Sequence, residues 1–133
     1  VKKPPKWDAE YKIPIEPVPA ARPRVSRWGA YYPKRYRDFK AALAAAFIAA
    51  ARAAPAREGP CRVDVEIVAP RPASTKLPFP KPDIDNYLKS VFDAATGSVW
   101  IDDWAIQESF ATKRWTKVGE KAHVCLRVKW TNV

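Results

Sequence analysis

The segment "KPDIDNYLKSVFDAATGSVWIDDW", residues 81–104, carries Asp83, Asp85, Asp93, Asp102 and Asp103, with Lys89 among them. Residues of this type can hold a hard divalent cation, which takes oxygen ligands and keeps waters or substrate phosphates in its shell. Carboxylates gathered this closely repel one another, and a cation relieves the repulsion. Between Asp83 and Asp103, five acids and one lysine give −4; the remainder sets 23 Lys and Arg against nine acids, +14, for a net charge of +10. A surface that positive collects polyanions, nucleic acid first among them, ahead of an acidic membrane or a phosphorylated metabolite. Acids grouped within a basic chain suit phosphodiester hydrolysis. The basic surface holds the backbone, while a bound metal polarises the phosphate and activates water. Lys89 would offset the charge that develops on the phosphate oxygens.

These residues must be positioned by a helix and its approaches. Pro82 keeps Lys81 extended, and extended backbone through Ile84 would put Asp83 and Asp85 on one side. A helix is expected from Asp85 or Asn86, both good N-cap types. Its buried side would be Tyr87, Leu88, Val91, Phe92 and Ala95, and its polar side Asp85, Asn86, Lys89 and Asp93, with Gly97 as the C-cap. Asp102 and Asp103 are neighbours, which extended backbone would point in opposite directions, so that one alone joins the other acids. A structural alternative stands beside this reading. Asp85 could cap the helix, Lys89 could pair with Asp85 and Asp93 four residues away, and Asp102–Asp103 could form a turn. An EF-hand is excluded because its glycine and distal glutamate are missing.

The rest of the chain supplies the frame. A short strand is expected around Ile13 and Ile15, then a Pro- and Arg-rich loop carrying Arg22, Arg24, Arg27 and Trp28. A helix follows from Lys34 to about Ala54, with Tyr36, Phe39, Leu43 and Phe47 as its core stripe. "RVDVEIVAP" alternates as a half-buried strand. "PRPASTKLPFPKP" holds too much proline for helix or sheet interior and makes an extended surface loop bearing Arg71, Lys76 and Lys81. After the acidic helix come a strand from Ala105 to Trp115, a turn at "TKVGEK", and a last strand with Ala122, Val124, Leu126, Val128 and Trp130 on one side, which closes the fold as a hairpin. The order β-α-β-α-β-β makes an α+β fold with a mixed sheet and two main helices. The chain's 133 residues suit a single domain over 1–133, and 47% hydrophobic residues supply a core.

Several classes drop out. The longest apolar run, Ala41 to Ala51, is too short to span a bilayer, and no signal peptide is apparent, so a soluble intracellular protein without membrane contact is expected. Cys61 and Cys125 lack metal-ligand spacing and read as buried thiols. His123, the single histidine, reads as a surface residue on the last strand, leaving no histidine-based mechanism.

"PDIDNYLKSVFDA", followed by "GSVWIDD" and by Lys113, resembles the RusA family of Holliday junction resolvases, whose pattern runs D-x-D-N-x-x-K-x-x-x-D-A and then D-D. "PVPAARPRV" is similar to the basic loop of phage members. The resemblance implies a small homodimeric endodeoxyribonuclease of a bacterial or phage-infected cytoplasm. It would cut branched DNA, four-way junctions above all, with Mg²⁺ (Mn²⁺ as a substitute) and no small-molecule cofactor. It assigns Asp83, Asp85, Lys89 and Asp103 to catalysis, and Asp83, Asp85 and Asp103 to the metal. Asp93 and Asp102 would support them, Asp93 as a partner for Lys89. Arg22, Arg24 and Arg27 would hold DNA, as would Arg71, Lys76 and Lys81 of the proline loop, where some members carry an arginine cluster instead. Two other readings keep the same residues: a less selective nuclease for flaps and branched DNA, and a non-catalytic DNA-binding module whose acids only cap a helix.

Overall fold

The alternation in "CRVDVEIVA" builds the centre of the molecule. Cys61, Val63, Val65 and Ile67 point to one face and are fully buried there. In the computed structural model, which describes residues 6–52 and 55–131, the chain runs β1 (Ala9–Ile13), β2 (Arg24–Ser26), β3 (Gly29–Tyr31), α1 (Lys34–Ala50), β4 (Cys61–Ala69), α2 (Ile84–Ala95), β5 (Ile106–Trp115) and β6 (His123–Trp130). A 3-10 turn over Asp103–Ala105 leads into β5. The result is the expected α+β fold, a mixed four-stranded sheet with two helices. The sheet order is β1-β6-β4-β5, with β4 and β5 parallel and the other pairs antiparallel. Parallel neighbours need a crossover, and α2 provides it.

The closing hairpin is not formed. β5 and β6 lie on opposite sides of β4. The cause is the apolar content of β4, which is best used with a partner on each side, whereas β5, with Gln107, Glu108, Ser109 and Thr112 exposed, tolerates the edge. The connection between them is tied down at both ends. Thr116 N–H donates to Ala69 O at 2.9 Å, and the Arg114 guanidinium donates to both Glu120 carboxylate oxygens at 2.6 and 2.8 Å. That contact holds the Glu120 carboxyl down at about 2.

The core stripe of α1, Tyr36, Phe39, Leu43 and Phe47, is buried as its spacing requires, with Phe47 edge-on to Tyr11 at 5.6 Å. The helix stops at Ala50, short of the expected end; Ala53 and Ala54 lie outside the described residues. α2 buries Tyr87, Ser90, Val91, Ala94 and Ala95. Leu88 and Phe92, expected inside, are only half-buried at the margin of the core. Ser90 and Ala94 take the inner places because small residues let the two helices pack together, and the Ser90 hydroxyl is satisfied by the Tyr87 carbonyl at 2.8 Å. β1 ends before Ile15 because Pro14 cannot donate to the ladder.

His123 is buried, against its reading as a surface residue. Its Nδ1 lies 3.0 Å from Lys121 O and its Nε2 lies 3.7 Å from the Glu66 carboxylate. Alternation put it on the sheet face opposite the helices, but ion pairs roof that face: Arg114–Glu66 at 3.1 Å and Arg127–Asp64 and Arg127–Glu10 at 3.3 Å. The long arginine stems cover what lies beneath. Cys61 and Cys125 are buried free thiols, whose pKa values burial pushes up. Among the described residues no helix is long and apolar enough to cross a membrane.

The segment expected as an open basic loop contains a two-stranded ribbon, β2–β3, paired through Arg24–Tyr31, Val25–Ala30 and Ser26–Gly29. Its strands show no apolar alternation, which is why the sequence gives no sign of them.

Candidate active site

α2 begins one to two residues earlier than expected. Asp83 is its N-cap, in extended conformation at φ −62° and ψ 141°, and its carbonyl accepts from Asn86 N–H at 3.1 Å and Tyr87 N–H at 3.3 Å. The Asp83 side chain makes no capping hydrogen bond. Aspartate at this position normally spends its carboxylate on the N2 or N3 amide. Here it stays exposed and uncommitted. Asp85 sits in the first turn, where the helix dipole favours a negative charge, and one of its oxygens accepts from Asn86 N–H at 3.0 Å. Both carboxylates face solvent.

The approach to Asp83 is held by β5. Lys113 Nζ donates to Pro82 O at 2.8 Å and lies 5.3 Å from the Phe79 ring centroid. Trp115 Nε1 donates to Leu77 O at 2.9 Å, and Pro80 is fully buried. The proline loop is thus pinned to the edge strand, which fixes where the first aspartate stands. Sequence reasoning gave Lys113 a place in a motif but no contact; only the parallel β4–β5 pairing brings it under Pro82.

Lys89 follows Asp85 by one helical turn and projects to solvent, with no ion pair among the described residues. Asp93 does not partner it. The Asp93 carboxylate turns to α1, where it accepts from the Tyr36 hydroxyl at 3.4 Å. Burial, then the Asp93 charge and hydrogen bond, push the Tyr36 phenol from 10.0 up to about 12. Apolar spacing identifies Tyr36 as core and says nothing of its hydroxyl, which makes this contact. Between pH 10 and 12 the unfolded tyrosine loses its proton and the folded one keeps it, so stability falls as pH rises through that window. Thermal melts of Tyr36→Phe should lack this part of the alkaline loss; an unchanged alkaline limb would contradict it.

Asp102 and Asp103 are not both extended. Asp102 caps the 3-10 turn, accepting from Asp103 N–H at 2.8 Å, and Asp103 is already inside that turn. The bend brings their carboxyls together instead of opposing them. Partial burial, the neighbouring Asp102 carboxyl and then the charge of Asp93 raise the Asp103 carboxyl above its ordinary value. The Asp103 carboxyl therefore feels the charges of both Asp102 and Asp93.

The described residues do not close the expected three-aspartate centre around one ion. Among the described residues no three of His, Cys, Asp and Glu stand close enough to hold one ion. Asp83 and Asp85 lie at the start of α2. Asp93 is two turns beyond Asp85, about 12 Å along the axis. The donor chemistry at the helix start still fits a hard cation. Mg²⁺ is commonly held by one or two carboxylates, with waters and substrate phosphates completing its shell.

The cations assigned to DNA are all exposed. Arg22, Arg24 and Arg27 lie on or beside the β2–β3 ribbon, and Arg71, Lys76 and Lys81 lie along the proline loop. None of them forms an ion pair among the described residues. Their charge is available to an outside anion.

Together these features define a small α+β protein with an acid-lined helix on a strongly basic body. The chain belongs to the RusA endodeoxyribonuclease family: the family model "Endodeoxyribonuclease RusA" matches residues 14–128. It is therefore a member of a family of endonucleases that act on DNA. No curated protein matches the chain.

Proposed function

We propose that this chain is a Mg²⁺-dependent endodeoxyribonuclease that resolves four-way DNA junctions, acting as a homodimer in the cytoplasm of a bacterial or phage-infected cell. Residues 1–133 would form one nuclease domain. The observation that carries this reading is the start of α2: a carboxylate at the cap that does no capping, a second one in the first turn, and one turn on a lysine without an ion pair among the described residues. The capping-only alternative makes Asp85 the cap, whereas the cap is Asp83 and its side chain makes no capping hydrogen bond.

Asp83 and Asp85 would hold the cation, and Asp103 is the third candidate ligand. When bound, the cation polarises the scissile phosphate and lowers the pKa of attacking water. Lys89 places an ammonium where it can meet charge developing on the phosphate oxygens. Asp93 and Tyr36 brace α2 against α1. Lys113 holds the loop that presents Asp83.

Each chain has one such helix start, so each can cut one strand at a time. A four-way junction presents two equivalent strands about a two-fold axis, and a two-fold dimer matches them. A panel of linear duplex, flap, Y-shaped and four-way substrates tests the selectivity. Preferential cutting of the four-way junction supports the proposal, whereas equal cutting of flaps favours the less selective nuclease.

Lys89→Ala should lower the single-turnover cleavage rate by about 10²-fold while junction affinity changes little, because the ammonium acts on transition-state charge. Equal losses in rate and affinity, measured side by side, would make Lys89 an ordinary phosphate contact.

A further inference from the structure

The β2–β3 ribbon carries a tryptophan that folding does not explain. All six strand residues are exposed, and the ribbon's own cross-strand pairs are its support. Its tip is Arg27–Trp28. Two-residue hairpin tips favour asparagine, aspartate and glycine, and neither arginine nor tryptophan serves the turn. The turn is held by other groups. Ser26 Oγ accepts from Trp28 N–H at 3.2 Å and donates to Gly29 O at 3.2 Å, and Gly29 takes φ +115°. The Trp28 side chain is 83% exposed, with the Arg27 guanidinium 4.6 Å from the ring centroid. Val25, beside the tip, is 84% exposed. An aromatic face left open this way, and backed by a cation, fits a partner that offers both a planar ring and negative charge.

One leg of the ribbon is rooted on the acid-lined helix and the other on α1, which is itself tied to that helix. On one side Ala20 N–H donates to Asn86 O at 2.9 Å, in the first turn of α2. On the other, Tyr32 packs edge-on to Tyr36 at 5.4 Å, and Tyr36 reaches Asp93. At most about 28 Å of extended chain separates Ala20 from Trp28. The tip therefore stays within reach of any DNA engaged at Asp83 and Asp85.

We propose that Trp28 stacks on a base laid open at the branch point of the bound DNA, and that this contact gives the chain its preference for branched over linear duplex. The inference rests on the reading of the chain as a branched-DNA nuclease and adds the residue that recognises the branch. In continuous duplex every base face is covered by its neighbour, so an indole must first unstack a step, which opposes binding. At a branch the stack is already interrupted, and base–aromatic stacking is gained with little opposing cost. Arg22 and Arg24 contact phosphates on either geometry and so supply affinity without this discrimination.

The test compares wild type, Trp28→Ala and Trp28→Phe, using Ca²⁺ in place of Mg²⁺ to suppress cutting. Affinities are measured for a linear duplex and for a four-way junction carrying 2-aminopurine at the branch. Trp28→Ala should lose about 10-fold or more in junction affinity and hold duplex affinity within about twofold. The 2-aminopurine fluorescence change seen with wild type should disappear with it. Trp28→Phe should keep most of both signals. Because the ring is exposed, the thermal midpoint of each variant should match wild type. Unchanged junction affinity in Trp28→Ala, or equal losses on both substrates, overturns the proposal. A wild-type protein that shows the Trp28-dependent junction signal yet cuts no DNA with Mg²⁺ overturns the nuclease reading and leaves this one standing.

Discussion

Asp83→Asn and Asp85→Asn should each lower junction cleavage by about 10²-fold or more while leaving junction affinity near wild type. A metal contributes several kcal/mol of transition-state stabilisation, and each 1.36 kcal/mol is a factor of ten. Asparagine keeps the shape of the side chain and removes the charge that captures the cation. Neither variant should unfold the protein: both side chains are exposed, and the Asp83 carboxylate bears no structural hydrogen bond. The third candidate calls for a paired comparison. Asp102 is committed to the Asp103 amide, whereas the Asp103 carboxyl is crowded by Asp102 and Asp93 and gains most from a cation nearby. Asp103→Asn should therefore harm cleavage more than Asp102→Asn. Single-turnover assays at saturating protein read all four variants, and near-normal cutting by any of the first three removes that residue from the site.

Affinity for DNA should depend steeply on salt. If Arg22, Arg24, Arg27, Arg71, Lys76 and Lys81 all meet phosphates, the log–log slope is about −5, and affinity falls about 10³-fold between 50 and 200 mM salt. The exposure of all six and their lack of acidic partners among the described residues favour this result. Arg71→Ala combined with Lys76→Ala should flatten the slope by about 2. A titration that is flat across that range would remove the electrostatic account of how the chain finds DNA.

What the sequence made legible was what periodicity carries. The four-residue stripe of α1, the alternation of β4 and the order of the main elements all follow from apolar spacing, and the structure keeps them. Pairing partners are not a periodic signal. The exchange of the expected hairpin for strands on either side of β4 depends on how much apolar surface each strand can bury. His123 failed for a related reason: alternation assigns a face, but whether that face is wet depended on Arg114 of β5 and Arg127 of β6 pairing with Glu66 and Asp64 of β4 across it. At the site, residue types and spacing brought out Asp83, Asp85 and Lys89 on one helix start. The bend at Asp103 and the turn of Asp93 toward Tyr36 were not legible, since both depend on a 3-10 turn and a helix–helix contact with no local signature. Lys113 lay 31 residues from the carbonyl it holds, beyond the reach of any local pattern.

The most direct test of the central claim is incubation of a synthetic mobile four-way junction with the protein and Mg²⁺, with each strand end-labelled in turn and its products mapped. The account predicts paired incisions at symmetry-related positions in two opposing strands, absent when Mg²⁺ is chelated and absent from Asp85→Asn. Intact strands with Mg²⁺ present, or cuts that persist in chelator, would contradict it.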